Sequence, residues 1–124
     1  MANEISLASG LTASKGGLNV SPAATTDTLD MTGTLMNDGA TSAVTGSWTA
    51  IEMGSLTTGA DYWVHLQNLD STNFVKVSTD NGTTEPGLIP PGSFWGPCKI
   101  KSGVTVYVRA DTATCSVATI VCAA

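Results

Sequence analysis

Residues 61–67 read Asp61-Tyr62-Trp63-Val64-His65-Leu66-Gln67, and residues 73–78 return as Asn73-Phe74-Val75-Lys76-Val77-Ser78. Tyr62, Val64 and Leu66 alternate with Trp63, His65 and Gln67, and Val75 and Val77 repeat the same step of two. A period of two sends successive side chains to opposite faces of a strand, so both segments read as half-buried strands. Between them, Asn68-Leu69-Asp70-Ser71 reads as a turn, because short Asx and Ser side chains bond their own backbone.

The same pattern extends outward in both directions. Residues 26–36 alternate Leu29, Met31, Gly33 and Leu35 with Thr28, Asp30, Thr32 and Thr34, and a turn is expected at Asn37-Asp38-Gly39. Residues 47–53 alternate Thr49, Ile51 and Met53 with Trp48, Ala50 and Glu52. Asp80-Asn81-Gly82 is the strongest hairpin signal in the chain. Residues 88–92 cannot continue a central strand, since Pro90 and Pro91 lack an amide proton. Residues 94–100 read as an edge strand with a bulge, and residues 104–110 and 113–122 as two further strands. About eight strands at short spacing, with no helical periodicity, predict an all-β chain folded as a single antiparallel β-sandwich, jelly-roll-like. Its expected core holds Val64, Leu66, Val75, Val77, Val104, Val106 and Val108.

Residues 1–25 behave differently. Ile5, Leu7, Leu11 and Leu18 are spread through a stretch interrupted by Gly16-Gly17 and Pro22, too Gly-rich to build a core layer of its own. We expect an extended N-terminal arm or edge strand over 1–25 and the sandwich over 26–124. The four apolar residues of the arm are candidate partner-binding anchors, each contributing roughly 1.5–3 kcal/mol when buried.

Composition excludes several classes of function. Thr (19), Ala (14), Gly (13) and Ser (12) make up nearly half of the 124 residues, and charged residues only 12%. Five Lys and Arg cannot form the basic stripe that nucleic-acid binding needs. The longest apolar run, Ala118 to Ala124, is interrupted by Thr119 and too short to span a bilayer, so no membrane partner is expected. Met1-Ala2-Asn3-Glu4-Ile5 carries an acid where a secretory signal carries a base, which predicts synthesis and folding in a cytoplasm. Residues 1–75 hold a net charge of −6 within the chain total of −5, a split that suits complementarity between neighbouring subunits.

No catalytic set is legible. A nucleophile needs a base and an orienting group, but the only histidine is His65 and no G-x-S-x-G elbow occurs. Cys98, Cys115 and Cys122 lack zinc-ligand spacing and read as free thiols, with a Cys98–Cys115 bridge as the other pairing open to them. We expect no enzyme, no cofactor and no metal. The face carrying Trp63, His65 and Gln67 is the constellation with functional promise. A flat aromatic beside polar groups stacks sugar rings or forms part of a protein–protein contact, and the contact is preferred.

Three segments in succession, DYWVHLQNLDSTNFVKV from Asp61 to Val77, then Pro90-Pro91-Gly92, then VYVRADTA from Val106 to Ala113, resemble small virion proteins of tailed bacteriophages, encoded among the head and tail genes. The resemblance spans roughly residues 55–122, and residues 1–54 carry none of it. It implies a non-enzymatic virion protein, made in the host bacterial cytoplasm, that binds the capsid exterior, neck or tail as a homo-oligomer, a trimer being favoured. The expected role is decoration or cementing of the capsid shell through contacts with the major capsid protein or another virion protein. The alternative is a carbohydrate-binding module of a phage fibre or adhesin, using Trp63, His65 and Gln67.

Overall fold

β-Branched and aromatic residues fit a pleated, half-buried surface, and here they alternate with Thr, Ser and Ala along most of the chain. The structure, a computed structural model, describes residues 5–9, 13–20, 25–29 and 36–123. All regular structure among them is β, and every pair of neighbouring strands is antiparallel. The chain divides into two compact units, Met1–Met31 and Thr32–Ala124.

In the first unit, β1 (Ile5–Ser9) pairs with β4 (Thr25–Leu29), and β2 (Ala13–Lys15) pairs with β3 (Leu18–Val20). Gly16 and Gly17 join the second pair with φ of 56° and 85°. Two successive positive φ values make the tight hairpin turn whose twist matches its strands, and glycine takes them without a Cβ penalty. The stretch read as an arm thus contains β1, β2, β3 and the start of β4. The expected boundary between residues 25 and 26 falls inside β4.

The second unit carries β5 (Met36–Ala43), β6 (Thr49–Ala50), β7 (Tyr62–Asn68), β8 (Val75–Ser78), β9 (Gly87–Ile89), β10 (Phe94–Ile100), β11 (Tyr107–Ala110) and β12 (Cys115–Ala123). They form two four-stranded sheets, ordered β10-β7-β12-β5 and β6-β11-β8-β9. The pairing is nested: β5 with β12, β6 with β11, β7 with β10 and β8 with β9, as if one long hairpin had been rolled up. Tyr62, Val64, Leu66, Val117 and Val121 from one sheet and Val75, Val77, Ile89, Val108 and Ala110 from the other join a single buried cluster. Of the expected core residues, six are buried, and Val104 packs half-buried against them. Tyr62 secures that corner by donating its hydroxyl to the Val104 carbonyl at 2.7 Å.

One local expectation fails. Asn37-Asp38-Gly39 is no turn; it lies inside β5, whose register with β12 runs from Cys115↔Ala43 to Cys122↔Met36. An eight-residue ladder outweighs the turn preference of three residues, since each buried amide needs its partner. Of the strand expected over 26–36, residues 26–29 lie in β4 and Met36 in β5, and residues 30–35 lie outside the described residues. The edge assignments hold: β9, which precedes Pro90 and Pro91, and β10 both lie at sheet edges, and the β10 register shifts between Trp95 and Cys98 as a bulge requires.

Candidate functional site: an apolar sheet face

β7 is flanked by β10 and β12, and its alternation decides what each face of the sheet presents. Tyr62, Val64 and Leu66 turn into the core, so Trp63, His65 and Gln67 turn outward, as the sequence predicts. The registers then bring other residues beside them. Trp63 lies between Lys99 of β10 and Cys122 of β12, with Met36 of β5 beyond. His65 is opposite Ile120, with Asp38 beyond. Gln67 lies between Phe94 and Ala118, with Ala40 beyond. The imidazole of His65 stacks on the Phe94 ring, 5.7 Å between centroids and 20° between planes.

The result is an apolar outer surface. Met36 is 68% exposed, Phe94 59% and Ile120 48%. These are large side chains left to water on β10, β12 and β5 of one sheet. Charge enters only at the two edges, as Asp38 on β5 and Lys99 on β10. Lys99 makes a half-exposed ion pair with Asp61 at 3.8 Å.

The other sheet presents the opposite character. Its outer face carries Arg109, Lys76 and Leu88 in register across β11, β8 and β9, with Tyr107 opposite Ser78. Lys76 pairs with Asp111 at 3.7 Å and Glu85 at 3.9 Å, and Arg109 donates Nε to the Thr45 carbonyl at 2.8 Å. Ionic side chains of both signs on that face suit water.

Of the candidate anchors in residues 1–25, Leu7 is half-buried on β1. Ile5 and Leu18 lie on β1 and β3, and Leu11 lies outside the described residues. Phe94, Ile120 and Met36 were not singled out in the sequence. Phe94 and Ile120 sit on strands that were legible, but only the registers show that they share a face with Trp63. Met36 begins β5, whose next three residues were read as a turn.

All three cysteines are free. Cys98 and Cys115 sit on β10 and β12, which flank β7 from opposite sides, so no bridge joins them. Burial pushes the thiols of Cys98, Cys115 and Cys122 above their ordinary range, which keeps them protonated and slow to react at neutral pH. Among the described residues, no group of three or more His, Cys, Asp or Glu side chains is placed to hold a metal ion.

Comparison with protein-family models, with curated proteins and with solved structures finds no match to this chain.

Proposed function

We propose that this chain is a structural protein that works by protein–protein contact, with the outer face of the β10-β7-β12-β5 sheet as a contact surface. The particular reading is a virion protein of a tailed bacteriophage, decorating or cementing the capsid shell, where copies associate with each other and with the major capsid protein or another virion protein. A trimer is the assembly the resemblance favours.

The carrying observation is the contrast between the two sheet faces: one ionic, the other holding Trp63, His65, Phe94, Ile120 and Met36 with charges only at its edges. We read the two sheets as the halves of a jelly-roll sandwich. Support comes from the nested pairing of first strand with last, second with seventh, third with sixth and fourth with fifth among β5 to β12. Jelly rolls serve viral capsid and lectin domains alike, so fold alone does not choose between shell and sugar. The surface favours the shell. The single aromatic of the proposed sugar platform, Trp63, is half-buried, and Ile120, Cys122 and Met36 stand where a sugar would need hydroxyl partners.

Quantitative mass spectrometry of purified parent particles tests this reading. The chain should be present in fixed ratio to the major capsid protein, and Ile120→Asp should remove it from particles. A chain absent from particles, or a glycan array that records sugar binding abolished by Trp63→Ala, would establish a different function.

A further inference from the structure

We propose that the apolar face of the β10-β7-β12-β5 sheet is covered by the same face of a second copy of this chain, packed about a two-fold axis that runs along the strands. This rests on reading the face as a protein contact, and it names the occupant.

A two-fold interface uses one patch twice, so the patch must complement itself. Rotation about an axis along the strands lays β10 of each copy over β5 of the other and β7 over β12, while each residue keeps its level along the strand. Large side chains then meet small ones at two levels. Phe94 lies over the partner's Ala40 and Gln67 over the partner's Ala118, because those four residues share one level of the sheet. At the level of Trp63, the indole lies over the partner's Cys122. Between these levels, His65 lies over the partner's Ile120. Packed sheets need this interdigitation across about 10 Å.

Charge points to the same occupant. The strands at the centre of the face, β7 and β12, contribute no Asp, Glu, Lys or Arg to it. The edges carry opposite signs, Asp38 on β5 and Lys99 on β10. The two-fold brings each Lys99 over the opposing β5 edge, one outward side chain along the strand from the partner's Asp38, about 7 Å and within reach of a lysine stem. The existing contact of Lys99 with Asp61 is half-exposed and weak, and leaves the ammonium free to accept a second carboxylate. A partner of uniform charge would be attracted by one edge and repelled by the other.

The area sets the strength. Four strands about 4.8 Å apart and seven residues long give a face of roughly 19 by 24 Å. Two such faces bury about 900 Å² in total, below the range of stable specific interfaces, so pairing is weak and concentration-dependent.

Sedimentation of the full chain from micromolar to about 0.5 mM tests the pairing. An even-numbered species should grow with concentration: a dimer, or a hexamer where trimers also form. Asp38→Lys and Lys99→Asp should each weaken pairing about tenfold, and the double charge exchange should restore it. Maleimide labelling of Cys122 in the unmodified protein should slow as concentration rises, a readout independent of how any variant folds. An odd-numbered or monomeric species throughout, a labelling rate that ignores concentration, or an exchange that restores nothing would overturn the proposal. If the chain stays unpaired yet Ile120→Asp still removes it from particles, the face binds another virion protein: the pairing fails while the contact reading stands. If Ile120→Asp changes neither pairing nor incorporation, both fail.

Discussion

Asn68 is fully buried at the end of β7, and both the nitrogen and the oxygen of its amide are hydrogen-bonded. Nδ2 donates to the carbonyls of Asn73 at 2.8 Å, Ile89 at 3.2 Å and Pro90 at 3.3 Å, while Oδ1 accepts from the Asp70 amide at 3.0 Å. One side chain thus ties the β7–β8 turn to the end of β9. Asn68→Leu preserves volume but strips buried carbonyls of their donor, so it should cost about 1–3 kcal/mol, read as a lower denaturant midpoint. The sequence reading recognised the Asx chemistry of Asn68-Leu69-Asp70-Ser71. The tie to Ile89 and Pro90 was hidden, since it depends on a partner some twenty residues away.

Two aspartates organise turns in the same way and give stability a pH dependence. Asp70 accepts from the Asn73 and Thr72 amides at 2.6 and 2.9 Å, and these bonds hold its carboxyl below the usual carboxylate range. Asp80 is held low by the Thr84 amide at 2.9 Å, the Ser78 hydroxyl at 2.7 Å and the Thr84 hydroxyl at 2.8 Å. A carboxyl with a depressed folded pKa binds its proton less readily in the folded state. Its stabilisation is complete above the ordinary value of 3.8 and is lost as pH falls through the lower folded value. Denaturant midpoints should be flat on the neutral side of about pH 5 and fall below pH 4, and Asp70→Asn with Asp80→Asn should flatten that acid limb. An unchanged acid limb in the double variant would place the sensitivity elsewhere.

β10 shows how an element serves the site. Its bulge realigns the strand so that Phe94 and Lys99 both face outward although they lie an odd five positions apart. Gly96 makes this possible: its φ is +96°, and a Cβ there would lie 2.6 Å from the Val64 carbonyl and 3.2 Å from the Cys98 amide. Gly96→Ala should cost about 1–3 kcal/mol and disturb the His65–Phe94 stack. Thermal unfolding and ring-current shifts of the His65 protons would record both effects; an unaltered melting temperature would contradict this role for Gly96.

At the element scale, legibility followed the reach of the determining interaction. β7 and β8 were legible because a period of two is written in consecutive residues, and Pro90 and Pro91 ruled out a central strand through a missing donor that no partner can supply. β5 was not legible. Asn37, Asp38 and Gly39 favour a turn locally, and only the ladder to β12, nearly eighty residues away, makes them a strand. The candidate site inherits that division: Trp63, His65 and Gln67 came from one strand's alternation, whereas Phe94, Ile120 and Met36 needed three registers.

Across the whole molecule, charges are few, and three of the six exposed large hydrophobics among the described residues, Met36, Phe94 and Ile120, share the outer face of the β10-β7-β12-β5 sheet. Burying Phe94, Ile120 and Met36 at that surface contributes roughly 25 cal/mol for each Å² of apolar area removed from water, enough to favour assembly wherever copies are concentrated. High salt should weaken the edge contacts between Asp38 and Lys99 and leave this apolar term intact, so association should fall only moderately between low and physiological ionic strength. A steep salt dependence in sedimentation would instead assign the contact to charge.

The proposed virion role is tested most directly by a cryo-EM reconstruction of the phage particle at a resolution that traces strands. The account predicts an eight-stranded β domain on the particle, with Trp63, Phe94 and Ile120 buried against protein and the face of Lys76 and Arg109 turned to solvent. A particle without the domain, or one in which the Trp63 face is open to solvent while the ionic face makes the contacts, would contradict it.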